Sequence, residues 1–128
     1  MKINRGRTAG TSSELRSETF TGEVWADSVL ESAPDALIND VFFAPGGRTH
    51  WHTHERGQIL LVLAGRGWVQ RRDGEGGEIM AGDVVWISPG EDHWHGADDK
   101  SFLLHRAISL GVTDWLDRVT DADYGRKG

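Results

Sequence analysis

A chain of 128 residues with a formal net charge of −6 and no cysteine has room for one domain around one core, and it excludes disulfides, thiolate metal sites and a cysteine nucleophile. Its early cations, Lys2, Arg5 and Arg7, form no continuous basic stripe, so nucleic acid is not an expected partner. No apolar run reaches the ~18 residues of a membrane span, and the start lacks the apolar stretch of a signal peptide, so the expectation is a cytoplasmic protein with no membrane partner.

Residues 1–17 are polar and are expected to form an arm that is mobile or draped over another surface. From about 20 to 110, turn signals punctuate short apolar runs: Pro45-Gly46-Gly47, Gly65-Arg66-Gly67, Asp73-Gly74, Gly82-Asp83 and Pro89-Gly90. Their spacing, about eight to twelve residues, is that of an all-β sandwich or barrel. The predicted strands cover 22–28, 36–44, 48–54, 58–64, 67–72, 84–87, 92–96 and 101–109. A helix signal comes only at the end, where Thr113 can cap a short segment, 113–120, with Trp115, Leu116 and Val119 on one side. The reading is one domain over 1–128, a barrel with tails.

Two of these strands bear on assembly. Ile59-Leu60-Leu61-Val62-Leu63 and Val84-Val85-Trp86-Ile87 are apolar at consecutive positions. Strand side chains alternate between faces, so both faces of each must be covered. The barrel interior covers one. A second sheet, the C-terminal helix or a partner subunit must cover the other, and a homodimer or homotetramer is expected.

The histidines concentrate in three places: His50, His52 and His54; His93 and His95; His105. Residues two apart on a strand point the same way, about 7 Å apart at the backbone, so His52 and His54 can converge on one ion inside a barrel. Gln58 and His93 complete a four-ligand set from neighbouring strands. Imidazole suits manganese, iron, cobalt, nickel, copper and zinc, and the amide oxygen is a neutral ligand. With no carboxylate among the ligands the ion keeps its full positive charge, which favours an anionic or polar small-molecule substrate at an open position. His50 shares the face of His52 and His54, but the set is already complete, so it reads as an edge or interface residue.

Gly46-x5-His52-x-His54-x3-Gln58-x6-Gly65, followed by Gly82-x5-Ser88-x-Gly90-x2-His93, resembles the two motifs of the cupin superfamily. The resemblance implies a double-stranded β-helix, a jelly-roll-like barrel. Three positions depart from the pattern: Gln58 stands where glutamate is usual, Ser88 where proline is usual, and Ala97 where asparagine is usual. A narrower likeness covers nearly the whole chain. Trp51-His52-Thr53-His54 with Gly57-Gln58, the run Gly82 to Glu91, His93-Trp94-His95-Gly96-Ala97, and Val119-Thr120-Asp121 with Tyr124 are similar to the small bacterial cupins that include manganese-dependent hydroxynitrile lyases. That likeness implies one divalent transition metal, manganese foremost and iron, nickel, cobalt or zinc as alternatives. It also implies reversible cleavage of a cyanohydrin such as mandelonitrile.

Such a reaction needs a base for the hydroxyl proton and a positive centre for the developing anion. His105 shares its strand face with Leu103 and Ala107, and an ordinary histidine pKa of about 6.5 would suit it as the base. His95 shares parity with His93 and is the second catalytic candidate; the plainer reading of both is a buried histidine held by hydrogen bonds. Val41, Phe43, Leu61, Leu63, Leu103 and Trp94 are candidate pocket walls. Two other classes of function compete with the lyase. One is a metal-dependent oxygenase acting on a small aromatic or dicarbonyl substrate; the other is a non-catalytic metal- or small-molecule-binding cupin.

Overall fold

Along Leu103–Leu110 the side chains alternate strictly between buried and half-buried, the two-residue period of a strand with one face on a core. That strand is the middle of the fold. The computed structural model describes residues 1–5, 12–31, 33 and 35–127. In chain order the elements are β1 (Glu14–Leu15), β2 (Phe20–Thr21), β3 (Val24–Leu30), β4 (Ala36–Phe43), β5 (Arg48–Thr49), β6 (His52–His54), β7 (Gln58–Arg71), β8 (Gly76–Met80), β9 (Val84–Ile87), β10 (His93–Ala97), β11 (Leu103–Leu110), β12 (Thr113–Trp115) and α1 (Asp121–Gly125).

All strand pairings given by the register are antiparallel, and the long β7 joins the two halves of a curled sheet. Its first half lies between β11 and β9, its second between β10 and β8. From β11 the sheet runs through β4 and β3 to β1; from β10 it runs to β5 and β2, and to β6 and β12. The all-β barrel expected from the turn spacing is therefore present. Gly65-Arg66-Gly67, read above as a turn between two strands, is instead a bend within β7. Gly65 has φ 80°, and a Cβ there would collide with the Phe102 carbonyl, so only glycine fits the bend. Strand β8 was not foreseen because Gly76-Gly77 reads as loop. The predicted strand 48–54 is broken at His50-Trp51 into β5 and β6.

Val24, Ala26, Val41, Phe43, Val62, Ile79, Ala97 and Leu103 form the main core. A smaller cluster of Leu60, Ile87 and Ala107 continues it. Each valine, leucine, isoleucine or phenylalanine among them contributes on the order of 1.5–3 kcal/mol by leaving water. Beside the metal-motif strands the core gives way to buried polar groups: His52, His54, Gln58, His93, His95 and His105 are all at most 3% exposed. The barrel is thus half apolar plug and half polar chamber.

The C-terminal helix is present but displaced. Segment 113–120, predicted helical, begins instead as β12, which pairs with β6 through Thr113↔His54 and Trp115↔His52. An open sheet edge and the β-favouring Thr and Trp outweigh the helix signal. The cap is Thr120, whose hydroxyl accepts from the Asp123 N–H, with Asp121 and Asp123 in the first turn of α1. Tyr124 then packs with Trp51, Trp94 and Val119, and its hydroxyl donates to the Ala97 carbonyl at 2.7 Å. Buried Arg48 donates to the Val119 carbonyl and lies 4.6 Å from the Tyr124 ring centre, clasping the tail to β5. Of the predicted arm 1–17, residues 6–11 lie outside the described residues; Glu14 and Leu15 pair with β3. No helix among the described residues is long and apolar enough to cross a membrane.

Candidate metal and ligand site

His52 and His93 face each other directly across β6 and β10, their ring centres 4.2 Å apart. His54 is 4.9 Å from His52 on the same face, as the two-residue period requires. Gln58 opens β7, opposite Ser109 of β11 and Ile87 of β9. The four residues read from the motif therefore meet in one chamber. His95 joins them. The possible ligand atoms of His52, His93 and His95 all lie within 4.8 Å of one another, so a residue read above as a proton carrier also stands within reach of an ion.

Which nitrogen each ring offers is set by its other nitrogen. His52 Nδ1 lies 2.8 Å from the His50 carbonyl, and His93 Nδ1 lies 2.8 Å from the Glu91 carbonyl. A carbonyl only accepts, so both rings carry their proton on Nδ1 and leave Nε2 bare. The same local device, a bond to the residue two positions back, orients both. His54 Nδ1 is 2.9 Å from Thr113 Oγ1, and its Nε2 is buried without a partner among the described residues. Gln58 Nε2 donates to Ser109 Oγ at 3.1 Å, which turns the amide oxygen the other way. Such partners fix the orientation of metal-ligating side chains.

One contact then has no proton to make it a hydrogen bond. Gln58 Oε1 and His93 Nε2 are 3.2 Å apart, and the bonds just described make both of them acceptors. Two facing lone pairs repel unless a cation lies between them. A cation held by both would relieve that repulsion. The donor set fits a divalent transition metal.

Burial keeps the cluster neutral. It holds His52 well below the usual histidine range, helped by the neighbouring His93 and His54. His54 is pushed down to about 4, chiefly by burial and then by His93, and His93 is lowered mainly by burial. His95 lies well below its ordinary value through burial and then His105. His105, lowered by burial to about 4, is a weaker base than its ordinary value would make it. Near neutrality all five are uncharged acceptors.

A cavity of about 200 Å³ opens onto His52, His54, Gln58, His95 and His105. Val41 and Phe43 wall it as expected, with Phe20, Leu37, Ala107 and Trp115. Leu61 and Leu63 do not; alternation along β7 puts them on the outer face, and Leu63 is 48% exposed. Leu103 and Trp94 are fully buried elsewhere in the packing. Sequence reasoning missed Thr113 and Ser109, which hold His54 and Gln58. Ser109 shares the strand parity of His105, a signal that was legible, whereas Thr113 was read as a helix cap.

The cupin domain profile matches residues 39–104. The chain is 48% identical, over 113 residues, to a Granulicella tundricola protein named (R)-mandelonitrile lyase, with 84% of this chain and 86% of that one covered. It superposes with a TM-score of 0.84 on a cupin-like protein from Thermotoga maritima, at 37% identity over 92% of this chain and 95% of that one. A polyketide cyclase, RemF from Streptomyces resistomycificus, shares the fold with a TM-score of 0.75 at 18% identity, covering 96% of this chain and 91% of the other.

Proposed function

Because this chain belongs to the cupin family, we propose that it is a metal-dependent enzyme acting on a small molecule, and that its reaction is the reversible cleavage of a cyanohydrin to an aldehyde and hydrogen cyanide. The observation that carries the metal part is the pair of acceptors, Gln58 Oε1 and His93 Nε2, 3.2 Å apart with no proton between them. The reaction is supported by the similarity to a protein named for mandelonitrile cleavage and by the cavity beside the histidines. Manganese is the proposed metal and the cytoplasm the proposed place of action.

His52, His54, Gln58 and His93 would hold the ion, with His95 close by. When bound, a divalent ion supplies positive charge that stabilises an alkoxide or a departing cyanide. The protein's own part is the proton. His95 lines the cavity, and its Nε2 is buried without a partner among the described residues while its Nδ1 meets His105 Nε2 at 2.9 Å. With the shared proton on His95 Nδ1, His95 Nε2 accepts; with the proton on His105, His95 Nε2 donates. The neutral imidazole takes the cyanohydrin hydroxyl proton as the carbon–cyanide bond breaks. The oxygen's electrons become the carbonyl bond, the bonding pair leaves as cyanide, and the imidazolium returns the proton to give hydrogen cyanide. The apolar walls, Val41, Phe43 and Ala107, shield this exchange from bulk water.

The test is reconstitution with manganese, iron, nickel, cobalt or zinc, followed by mandelonitrile turnover in air and without oxygen. Equal release of cyanide and benzaldehyde, dependent on metal and indifferent to oxygen, supports the reading. Oxygen-dependent consumption would mark an oxygenase, and no turnover with any metal would mark a binding protein.

A further inference from the structure

Arg16 is the one side chain of fixed charge among the described residues lining the cavity that holds the histidines; the other lining residues include no aspartate or glutamate. Its Nε is buried and has no hydrogen-bond partner among the described residues. A buried donor left unpaired is unfavourable and rare in native structures. Among the described residues its ion-pair partner is Glu14, at 3.1 Å from the terminal nitrogen, with the two side chains 39% and 72% exposed, and ion pairs in that much water contribute little. The backbone is better held than the side chain: Arg16 N–H donates to the Val24 carbonyl at 2.8 Å, and the preceding residues pair with β3. The arm therefore anchors the backbone of Arg16 at the cavity wall and leaves its guanidinium with one buried donor open to an acceptor.

Apolar side chains, Phe20, Leu37 and Trp115, line the same cavity. A ligand that fits this lining has three parts: a polar reacting end among the imidazoles, an apolar body, and an acceptor at the guanidinium. A carboxylate meets the last requirement best, because a planar guanidinium binds it with charge-assisted, paired hydrogen bonds. The chamber reinforces the choice, since uncharged histidines and a cation leave it with no negative group of its own.

We propose that Arg16 is a specificity-determining residue that takes the carboxylate of an elongated substrate whose reacting end lies at the histidine cluster. This rests on the cavity being the substrate site, and it names an anionic cyanohydrin or its aldehyde as the favoured class. The experiment is calorimetric titration of the manganese-loaded protein with 4-carboxybenzaldehyde and with benzaldehyde, for the native chain, Arg16→Gln and Arg16→Lys. The native chain should bind the carboxylate-bearing aldehyde on the order of 10- to 100-fold more tightly than benzaldehyde, the gain expected of a hydrogen bond between charged groups. Arg16→Gln should bring that ratio close to one, and Arg16→Lys should restore part of it. An equal preference in the native chain and Arg16→Gln overturns the proposal, because the carboxylate would then be held elsewhere. So does the absence of any preference in the native chain. Cyanide release from the corresponding cyanohydrins is measured alongside. Preferential binding without cyanide would sink the lyase reading and leave Arg16 in its role, and cyanide release without preference would do the reverse.

Discussion

His105 Nε2 lies 2.9 Å from His95 Nδ1, both rings fully within the barrel at 0% and 3% exposure. Both line the cavity, but His105 stands outside the proposed ligand set and reaches His95 from β11, so a change at His105 should disturb proton transfer without unloading the ion. His105→Gln is expected to slow cyanohydrin cleavage about 100-fold or more, the lower range for a general acid–base group, while metal content by elemental analysis stays at the native level. Full activity in that variant would remove His105 from the mechanism.

Ser109 is expected to govern metal retention although it is not a ligand. Its hydroxyl accepts from Gln58 Nε2, and without that bond the amide can rotate and turn its nitrogen toward His93. Ser109→Ala should weaken metal binding about 10-fold, the low end for loss of a supporting hydrogen bond, in a competition titration against a chelator of known affinity. Unchanged affinity would mean that the amide is held by its surroundings alone.

The metal-free protein should lose stability in mild acid. Burial lowers His105 to about 4 and His54, chiefly by the same cause, to about 4, against about 6.5 in an unfolded chain. Between those values the unfolded chain binds protons that the folded one does not, so stability falls as pH drops from about 6.5 and levels off below about 4. For His105 alone the full loss is roughly 3 kcal/mol. Urea midpoints measured across that range should show the slope. His105→Gln should reduce it by up to about one proton's worth, and a flat profile would contradict the buried neutral state.

The convergence of His52, His54, Gln58 and His93 was legible because it rests on strand parity and motif spacing. His52 and His54 share a face by the two-residue period alone, and Gln58 and His93 were placed by the motif. What stayed hidden was long-range. Thr113 reads locally as a helix cap, and only its pairing with His54 across β12 and β6 gives it a different part. Gly65 reads as a turn because glycine serves both turns and bends, and the crowding against Phe102 that decides between them is tertiary. The value near 4 for His105 also depends on its depth in the barrel, which parity does not report.

The outer face of the sheet is expected to be covered by a second copy of the chain. The register lines up Trp86, Ile59, Ile108, Ile38 and Leu30 side by side across β9, β7, β11, β4 and β3. Val84, Leu63 and Phe42 extend the outer face, at 67%, 48% and 36% exposure, and Trp86 itself is 55% exposed. Five strands at about 4.8 Å spacing make a face about 20 Å across, a width suited to an interface of about 800 Å² per partner. The helix that could have covered it packs through Tyr124 on Trp51, Trp94 and Val119 instead. Arg106 and Asp40 sit within the face as a bidentate pair, already neutralised and so no obstacle to self-association. We therefore propose a homodimer or homotetramer built on this face. Light scattering after gel filtration should give a dimer or tetramer mass for the native chain and a monomer for Trp86→Lys, since a lysine ammonium there would have to be stripped of water. A native chain that stays monomeric at micromolar concentration would leave those apolar side chains in solvent and refute the arrangement.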